Sequence, residues 1–331
     1  MASVVFMGTP DFAAGILRAL IDSGYEVKAV FTQPDRPKGR KGILRMPPVK
    51  EMALENGIPV FQPEKIRREE NTALLEQLHP DFIVVAAFGQ IIPQAILDIP
   101  SGGCLNVHAS LLPAWRGAAP IQWSILSGDQ VTGVTIMRMD AGLDTGDMIL
   151  KKEVVIREDE TGDSLFDVLM VEGSSLLLQA MELILDGHAV YTAQPKESPT
   201  PYAKMLKRES GLIDWSLDAV RTARMIRAFD SWPGTYTFLH SKMLKIMRAE
   251  AVSENETQAL LSEEPFRSGG GSAEAGEIVR AGKDELIVKA GSGALRILEI
   301  QPEGKKRMDT ASFLRGYHLT PGERFARQRE E

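Results

Sequence analysis

Residues 81–89 read DFIVVAAFG, and this nearly continuous apolar run gives the clearest indication of the fold. A short run of this kind that ends at a glycine is typical of a strand buried on both faces. Similar runs occur at 3–8 (SVVFMG) and 102–109 (GCLNVHAS), with helical patterns such as FAAGILRALIDSG (12–24) between them. Alternating strands and helices predict βαβ units, so residues 1–189 are expected to form a Rossmann-like α/β domain with a mainly parallel sheet.

The sequence pattern changes after residue 189. Residues 190–206 are rich in proline and lack periodicity, so we interpret them as a linker. A helical pattern at 217–229 is then followed by short strand patterns separated by turn residues. Residues 207–331 are therefore expected to form a small antiparallel β-barrel of the OB-like kind.

The composition limits the class of protein. The chain has 331 residues, of which 44% are hydrophobic and 25% charged, as is typical of globular proteins. Cys104 is the only cysteine, so we expect no intrachain disulfide and no metal site built on cysteines. The sequence shows neither a signal pattern nor an apolar run long enough for a membrane helix. We therefore expect a cytoplasmic monomer with no bound metal and no membrane partner.

Charge is distributed unevenly along the chain. Residues 1–204 carry 18 Lys/Arg against 26 Asp/Glu, whereas residues 205–331 carry 20 against 19. The acidic part contains one basic stretch, PDRPKGRKGILRMPPVK at 34–50, which we expect to be a flexible surface loop. Such a stretch can attract a polyanion even though the net charge of the whole chain is −7.

The segment NVHASLLPAWRGAAP (106–120) contains the first group of reactive side chains. Asn106 and His108 lie two residues apart at the end of a strand pattern, so their side chains are expected on one face. Ligands of open α/β sheets bind outside the carboxyl ends of the strands. An amide can donate to an oxyanion and an imidazole can transfer a proton near neutral pH. The pair therefore predicts acyl-transfer chemistry.

A second candidate segment is MDAGLDTGDM (139–148), which follows another strand pattern. We expect this loop to open on the same sheet edge as Asn106 and His108. Asp144 would then orient His108 and stabilise its protonated form.

The two segments together resemble the folate-dependent formyltransferase family. The resemblance runs nearly end to end and includes FMGTPDFA (6–13), RGAAPIQ (116–122), IRAFDSWPG (226–234) and QPEGKKRM (301–308). It implies an enzyme that uses 10-formyltetrahydrofolate as a cosubstrate. The implied reaction places the formyl group on the α-amino group of an initiator methionyl-tRNA, for translation initiation.

The resemblance also implies roles for individual residues. Asn106, His108 and Asp144 match the catalytic residues of the family. The positions that match its folate-binding segments are Phe88, Gly89, Ile91, Ile92, Ser110, Leu111, Leu112, Pro113, Asp140 and Leu143. The basic residues expected to contact tRNA are Arg36, Lys38, Arg40, Lys41, Arg45, Lys207, Lys305, Lys306 and Arg307.

Other functions fit the sequence less well. An NAD-binding domain is disfavoured because the first strand pattern ends in Gly8-Thr9-Pro10-Asp11, without the G-x-G-x-x-G pattern. A formyl acceptor such as a ribonucleotide amine or an amino sugar would use the same Asn/His/Asp residues, and only the basic stretch and the second domain favour tRNA. A non-catalytic RNA-binding module is disfavoured because the later strands lack alternating basic and aromatic residues.

Overall fold

The structure is a computed structural model that describes residues 2–38, 43–264, 266 and 271–328. The chain divides into two compact units. Unit 1 comprises Met1–Ile121, Gln130–Ile156 and Leu165–Lys204, and unit 2 comprises Gln122–Asp129, Arg157–Ser164 and Met205–Glu331.

Unit 1 is built on a mixed β-sheet. Its strands are β1 (Ser3–Gly8), β2 (Glu26–Phe31), β3 (Arg36–Lys38), β4 (Ile43–Arg45), β5 (Val60–Phe61), β6 (Phe82–Ala86), β7 (Cys104–His108), β8 (Val131–Arg138) and β9 (Met148–Val155). Seven of them form one sheet in the order β5-β2-β1-β6-β7-β8-β9. The strands from β5 to β7 in this order run parallel, whereas β8 is antiparallel to both of its neighbours. The prediction of a mainly parallel sheet is confirmed.

The helices follow the apolar periodicity of the sequence. Those before residue 204 are α1 (Asp11–Asp22), α2 (Pro48–Glu55), α3 (Glu69–Leu78), α4 (Gln94–Leu97), α5 (Pro120–Ser127) and α6 (Gly162–Leu185). In α1 the buried residues Phe12, Ile16 and Leu20 recur every four positions and form one apolar face. The chain leaves this helix through Gly24 in a left-handed conformation, with φ 79°.

The core of unit 1 lies around the central strands. Every residue of β6 is buried, as the apolar run at 81–89 predicts. Val5, Phe31 and Ile83 belong to the same buried cluster, together with Cys104 at the start of β7. This packing holds the strand that carries Asn106 and His108.

The basic stretch is more regular than the sequence suggested. Strands β3 and β4 pair antiparallel, so the expected flexible loop contains a β-hairpin, while Arg40 and Lys41 lie outside the described residues. Below the hairpin, Lys50 Nζ lies 2.8 Å from Asp35 Oδ2. Hydrogen bonds from Lys50 and Gln62 lower the pKa of Asp35. Lys50 therefore closes the base of the hairpin with an ion pair.

Unit 2 contains an antiparallel sheet. Its strands are β10 (Thr235–Leu239), β11 (Lys242–Val252), β12 (Ile278–Ala281), β13 (Leu286–Lys289), β14 (Ala294–Pro302) and β15 (Met308–Asp309), with helices α7 (Ala219–Ala228), α8 (Glu254–Leu261) and α9 (Thr310–Gly316). The order is β10-β11-β14-β13-β12, and β15 pairs with β14. The predicted antiparallel domain is confirmed. Its core includes Trp215, whose Nε1 donates to Thr237 Oγ1 at 2.9 Å, and Phe325, whose ring centroid lies 5.5 Å from that of Trp215.

A closed barrel is not found in unit 2. Within the described ranges, the edge strands β10 and β12 do not pair with each other. Residues near the end of the chain lie against both edges instead: Ala326 makes an isolated bridge to Phe238, and Arg324 makes one to Glu277.

One helix departs from the expectation about membrane segments. Of the helices that the structure describes, α6 alone is long and apolar enough to cross a bilayer by length and composition. The core helix of a soluble protein meets the same two criteria, so this finding does not assign a membrane segment.

The burial of Cys104 predicts an unreactive thiol. Burial raises the pKa of Cys104 to about 12. At pH 8 the thiolate fraction is therefore on the order of 10⁻⁴, and the thiolate is the reactive form. We expect the native chain to react with a chromogenic disulfide reagent far more slowly than the same chain unfolded in urea. Equal rates in the two states would show that the thiol is accessible.

Candidate active site

Three polar side chains meet above strand β7. The Nδ2 atom of Asn106 lies 3.5 Å from Asp144 Oδ1, and His108 Nδ1 lies 3.8 Å from the same oxygen. Asn106 is 8% exposed and His108 is 6% exposed. Because both side chains reach one carboxylate oxygen, they point to the same face of the strand, as their spacing predicts.

The loop that carries Asp144 leaves the sheet at a different end from the one expected from the sequence. The loop after β8 was expected to open at the same sheet edge as the end of β7. Strand β8 is antiparallel to β7, with Leu105 opposite Arg138 and His108 opposite Thr135. The expectation is wrong because the loop leaves the sheet at the amino end of β7. Asp144 meets the other two residues because they project from the face of the sheet.

The carboxylate of Asp144 is held from the other side by the backbone. Gly117 N donates to Asp144 Oδ2 at 2.8 Å, which leaves Oδ1 directed at Asn106 and His108. Asp144 itself has φ 54°, a left-handed conformation that aspartate tolerates better than most residues. Its carbonyl oxygen accepts a hydrogen bond of 3.0 Å from Gln194 Nε2.

The ring of His108 is oriented by one backbone carbonyl. His108 Nε2 lies 3.1 Å from the carbonyl oxygen of Trp115. A carbonyl oxygen only accepts, so the Nε2 atom carries the hydrogen. The other ring nitrogen, Nδ1, faces Asp144.

The turn that follows β7 is fixed by Thr135. The Thr135 hydroxyl donates to the carbonyl oxygen of Ser110 at 2.7 Å and accepts from Leu112 N at 3.0 Å. Leu112 is fully buried, whereas Leu111 and Pro113 are half-buried. Of the two leucines in the segment that resembles the folate site, only Leu111 has an accessible side chain.

The other residues that resemble the folate site differ in exposure. Phe88 and Ile92 are 2% and 4% exposed and belong to the core of unit 1, whereas Ile91 is 84% exposed. The backbone at Gly89, between Phe88 and these two isoleucines, is left-handed, with φ 81°.

The loop that carries Asp144 has an ordered polar base and an apolar tip. Asp140 Oδ1 accepts from Gly142 N at 3.0 Å and from Thr145 Oγ1 at 2.8 Å, so this carboxylate shapes the loop. Leu143 is 57% exposed. Ile91 and Leu143 are thus the exposed apolar residues of the folate set.

The candidate tRNA contacts lie on exposed segments. Arg36 and Arg45 are exposed on the hairpin, where Lys38 ends β3. In unit 2, Lys207, Lys305 and Lys306 are exposed as well. Arg307 is also exposed, but it forms an ion pair with Glu299, so a phosphate would have to compete with that carboxylate.

Several residues of the site were not identified from the sequence. Trp115 contributes only its carbonyl oxygen and Gly117 only its N–H, and backbone roles leave no side-chain pattern. The glycine after Arg116 was the one available signal. Gln194 lies in the segment interpreted as a linker, where the sequence shows no periodicity.

Comparisons with known proteins identify the family. Residues 1–181 match the family model described as formyl transferase, and residues 205–318 match the model of its C-terminal domain. The chain belongs to the formyltransferase family. The match over residues 1–181 alone covers more than half of the chain.

One similar sequence is the methionyl-tRNA formyltransferase of Agathobacter rectalis, with 49% identity over 97% of this chain and 99% of the relative. Two solved structures share the fold at much lower identity. The N-formyltransferase of Helicobacter canadensis, in complex with folinic acid and dTDP-3-aminofucose, has a TM-score of 0.62 and 16% identity over 91% of this chain and 100% of its own. HypX of Aquifex aeolicus, in complex with tetrahydrofolic acid, has a TM-score of 0.60 and 17% identity over 95% of this chain and 47% of its own.

The backbone conformation at position 117 predicts that only glycine is tolerated there. Gly117 has φ 121°, and an added Cβ would lie 2.7 Å from the carbonyl oxygen of Ala203. Gly187→Ala is the matched control: Gly187 has φ 71° and an added methyl would meet open space, so only the backbone cost of about 1–2 kcal/mol applies. We expect Gly117→Ala to destabilise the chain more than the control in urea unfolding. Equal losses of unfolding free energy in the two variants would contradict the close packing at Gly117.

Proposed function

We propose that this formyltransferase moves the formyl group of 10-formyltetrahydrofolate to the α-amino group of methionyl-tRNA. The observation that carries the proposal is the meeting of Asn106, His108 and Asp144 in a chain that belongs to the family. The acceptor is supported by relatives such as the Agathobacter rectalis protein, which match this chain over nearly its whole length.

The proposed mechanism assigns a separate task to each side chain. The folate supplies the formyl carbon, and the attacking amine must lose a proton. Free α-amino groups have pKa values of about 7.7–8.0, so part of the amine is already neutral near pH 7. His108 Nδ1 accepts the proton, and the negative charge of Asp144 stabilises the resulting imidazolium.

Asn106 stabilises the negative charge that develops on the formyl oxygen. An amide nitrogen carries two N–H donors, and within the described residues one of them is directed at Asp144 Oδ1. The other is available to the oxyanion. The amine nitrogen bonds to the formyl carbon, the bond from that carbon to N10 of the folate breaks, and the proton held by His108 passes to N10, so that neutral tetrahydrofolate leaves. No covalent intermediate with the enzyme is required, because the amine is itself the nucleophile.

The residues that resemble the folate site fit an aromatic ligand with a polar edge. Ile91 and Leu143 offer exposed apolar surface, and Leu111 offers a half-buried one. The remaining residues of the folate set would serve mainly through their backbone or by supporting these side chains. They are Phe88, Gly89, Ile92, Ser110, Leu112, Pro113 and Asp140. Small-molecule sites commonly combine apolar walls with a few placed polar groups.

We infer the domain roles in the same way. Residues 1–189 form the catalytic domain, 190–206 the connection, and 207–331 the tRNA-binding domain. The second domain is proposed to be an OB-like barrel in which the segment near Ala326 closes the gap between β10 and β12, as its isolated bridges suggest. We also propose that the protein acts as a monomer in the cytoplasm, with no membrane partner.

An acceptor assay tests the proposed function directly. Formyl transfer is measured to methionyl-tRNA, to uncharged tRNA and to a free amino sugar, with the same folate donor. We expect transfer only to methionyl-tRNA. Transfer to the amino sugar alone would agree with the proposed formyl-transfer reaction but would show that methionyl-tRNA is not the acceptor.

The role of Asn106 predicts a large kinetic effect. Removal of one oxyanion donor costs about 100- to 1,000-fold in turnover, so Asn106→Ala should lose activity on this scale. Asn56→Ala is the control, because Asn56 is exposed and its Nδ2 donates to the carbonyl oxygen of Met52 in helix α2. Near-normal turnover of Asn106→Ala in steady-state assays would exclude the oxyanion role.

The basic residues of unit 2 predict a salt-dependent effect on tRNA affinity. Each phosphate contact contributes about 1 to the slope of log affinity against log salt. Replacing both Lys305 and Lys306 with alanine should therefore reduce the slope by about 2. Lys283→Ala, an exposed lysine in the turn before β13, serves as the control and should leave the slope unchanged. An unchanged slope in the double variant would remove these two lysines from the interface.

A further inference from the structure

Arg116 is a buried cation next to the candidate active site. Its side chain is 3% exposed. Its Nη2 and Nε atoms donate to Gln194 Oε1 at 2.8 and 3.1 Å. The guanidinium also donates to the carbonyl oxygens of Pro195 at 2.8 Å and Lys196 at 3.1 Å. A buried charge is tolerated only when its hydrogen bonds are made, and here neutral oxygen atoms accept them.

Gln194 links this cation to the loop that carries Asp144. Its Nε2 atom donates to the carbonyl oxygens of Asp144 at 3.0 Å and Gly146 at 2.7 Å. The orientation of the amide is determined, because an oxygen must face the donors of Arg116 and a nitrogen must face the carbonyls. Gln194 is half-buried in a run whose neighbours at 191–193 and 195–197 are exposed.

Arg116 is also flanked by the two backbone groups that orient the catalytic side chains. The residue before it, Trp115, presents its carbonyl oxygen to His108 Nε2. The residue after it, Gly117, donates its N–H to Asp144 Oδ2. Anchoring Arg116 therefore fixes both groups at once.

The segment around Gln194 is attached to the same loop at further points. Thr200 Oγ1 accepts from Trp115 N at 2.7 Å, and Ser198 Oγ donates to the carbonyl oxygen of Pro113 at 2.8 Å. Thr192 exchanges two backbone hydrogen bonds of 2.9 Å with Met148, just after the Asp144 loop. Gln194 lies between these attachments and joins the two catalytic loops through its side chain.

We infer that Arg116 and Gln194 are positioning residues, which set the geometry of Asp144 and His108 without touching the substrates. This inference rests on the proposed function for its kinetic readout. It assigns a role in catalysis to the segment interpreted from the sequence as a linker.

The substitution Gln194→Glu separates the two contacts of the side chain. A carboxylate still accepts hydrogen bonds from Arg116, but it cannot donate to the carbonyls of Asp144 and Gly146. Because a displacement of about 1 Å can cost up to about 100-fold in rate, we expect kcat to fall by about 10-fold or more, with a smaller change in KM for methionyl-tRNA. The melting temperature should remain near that of the wild type, since the buried cation keeps its partner.

Gln179→Glu is the matched control. Gln179 is exposed on helix α6, where its Nε2 donates to Ser175 Oγ at 3.3 Å, and the same chemical change there should leave kcat unaltered. A readout that does not depend on activity is hydrogen exchange of the Gly117 amide. Exchange should be faster in Gln194→Glu, because the acceptor Asp144 Oδ2 is displaced, and unchanged in Gln179→Glu.

A double-substitution cycle distinguishes positioning from general damage. If Gln194 acts through Asp144, then Gln194→Glu should lower kcat little further in an Asp144→Asn background. Full additivity of the two losses would overturn the inference, as would unchanged kcat and unchanged Gly117 exchange in Gln194→Glu alone. If the wild-type enzyme does not formylate methionyl-tRNA, the proposed function fails, and the exchange measurement alone decides the inference.

Discussion

The hydrogen bond from Gly117 N to Asp144 Oδ2 is the constraint on which the rest of the site depends. It occupies one oxygen of the carboxylate, so that the other can face both Asn106 and His108. The bond requires glycine at position 117, because the backbone is at φ 121° and lies against the carbonyl oxygen of Ala203. A backbone donor has fewer rotatable bonds than a side chain, which makes it well suited to hold a reactive group in one orientation.

Much of the fold could be predicted from the sequence, because burial leaves a periodic pattern. The run at 81–89 predicted a buried strand, and β6 is buried along its whole length. The direction of β8 could not be predicted in this way. Apolar alternation shows which residues of a strand are buried, whereas parallel or antiparallel pairing depends on how the preceding segment crosses the sheet. The sequence therefore predicted that Asp144 lies near His108, but it placed the loop that carries Asp144 at the wrong end of β7.

The contribution of the segment around Gln194 shows a second limit of sequence reasoning. Proline and polar residues without periodicity are typical of a linker, and the exposure of residues 195–197 agrees with that pattern. The half-buried residues on either side of them, Gln194, Ser198 and Thr200, make the specific contacts. Contacts between a polar side chain and backbone carbonyls have no period, so only the folded chain reveals them. The same holds for Trp115, which orients His108 with its carbonyl oxygen.

The indirect connection between Arg116 and Asp144 has an electrostatic consequence. Opposite charges about 4 Å apart attract with about 4 kcal/mol at an effective dielectric constant of about 20, so a direct contact would tie the carboxylate to the guanidinium. Gln194 is a neutral amide that accepts from the cation on one side and donates to the loop on the other. Arg116 can then hold the Asp144 loop through Gln194, without forming an ion pair with the carboxylate. The negative charge of Asp144 stays directed at His108, where, in the proposed mechanism, a proton transfer from the amine creates the positive charge that it stabilises.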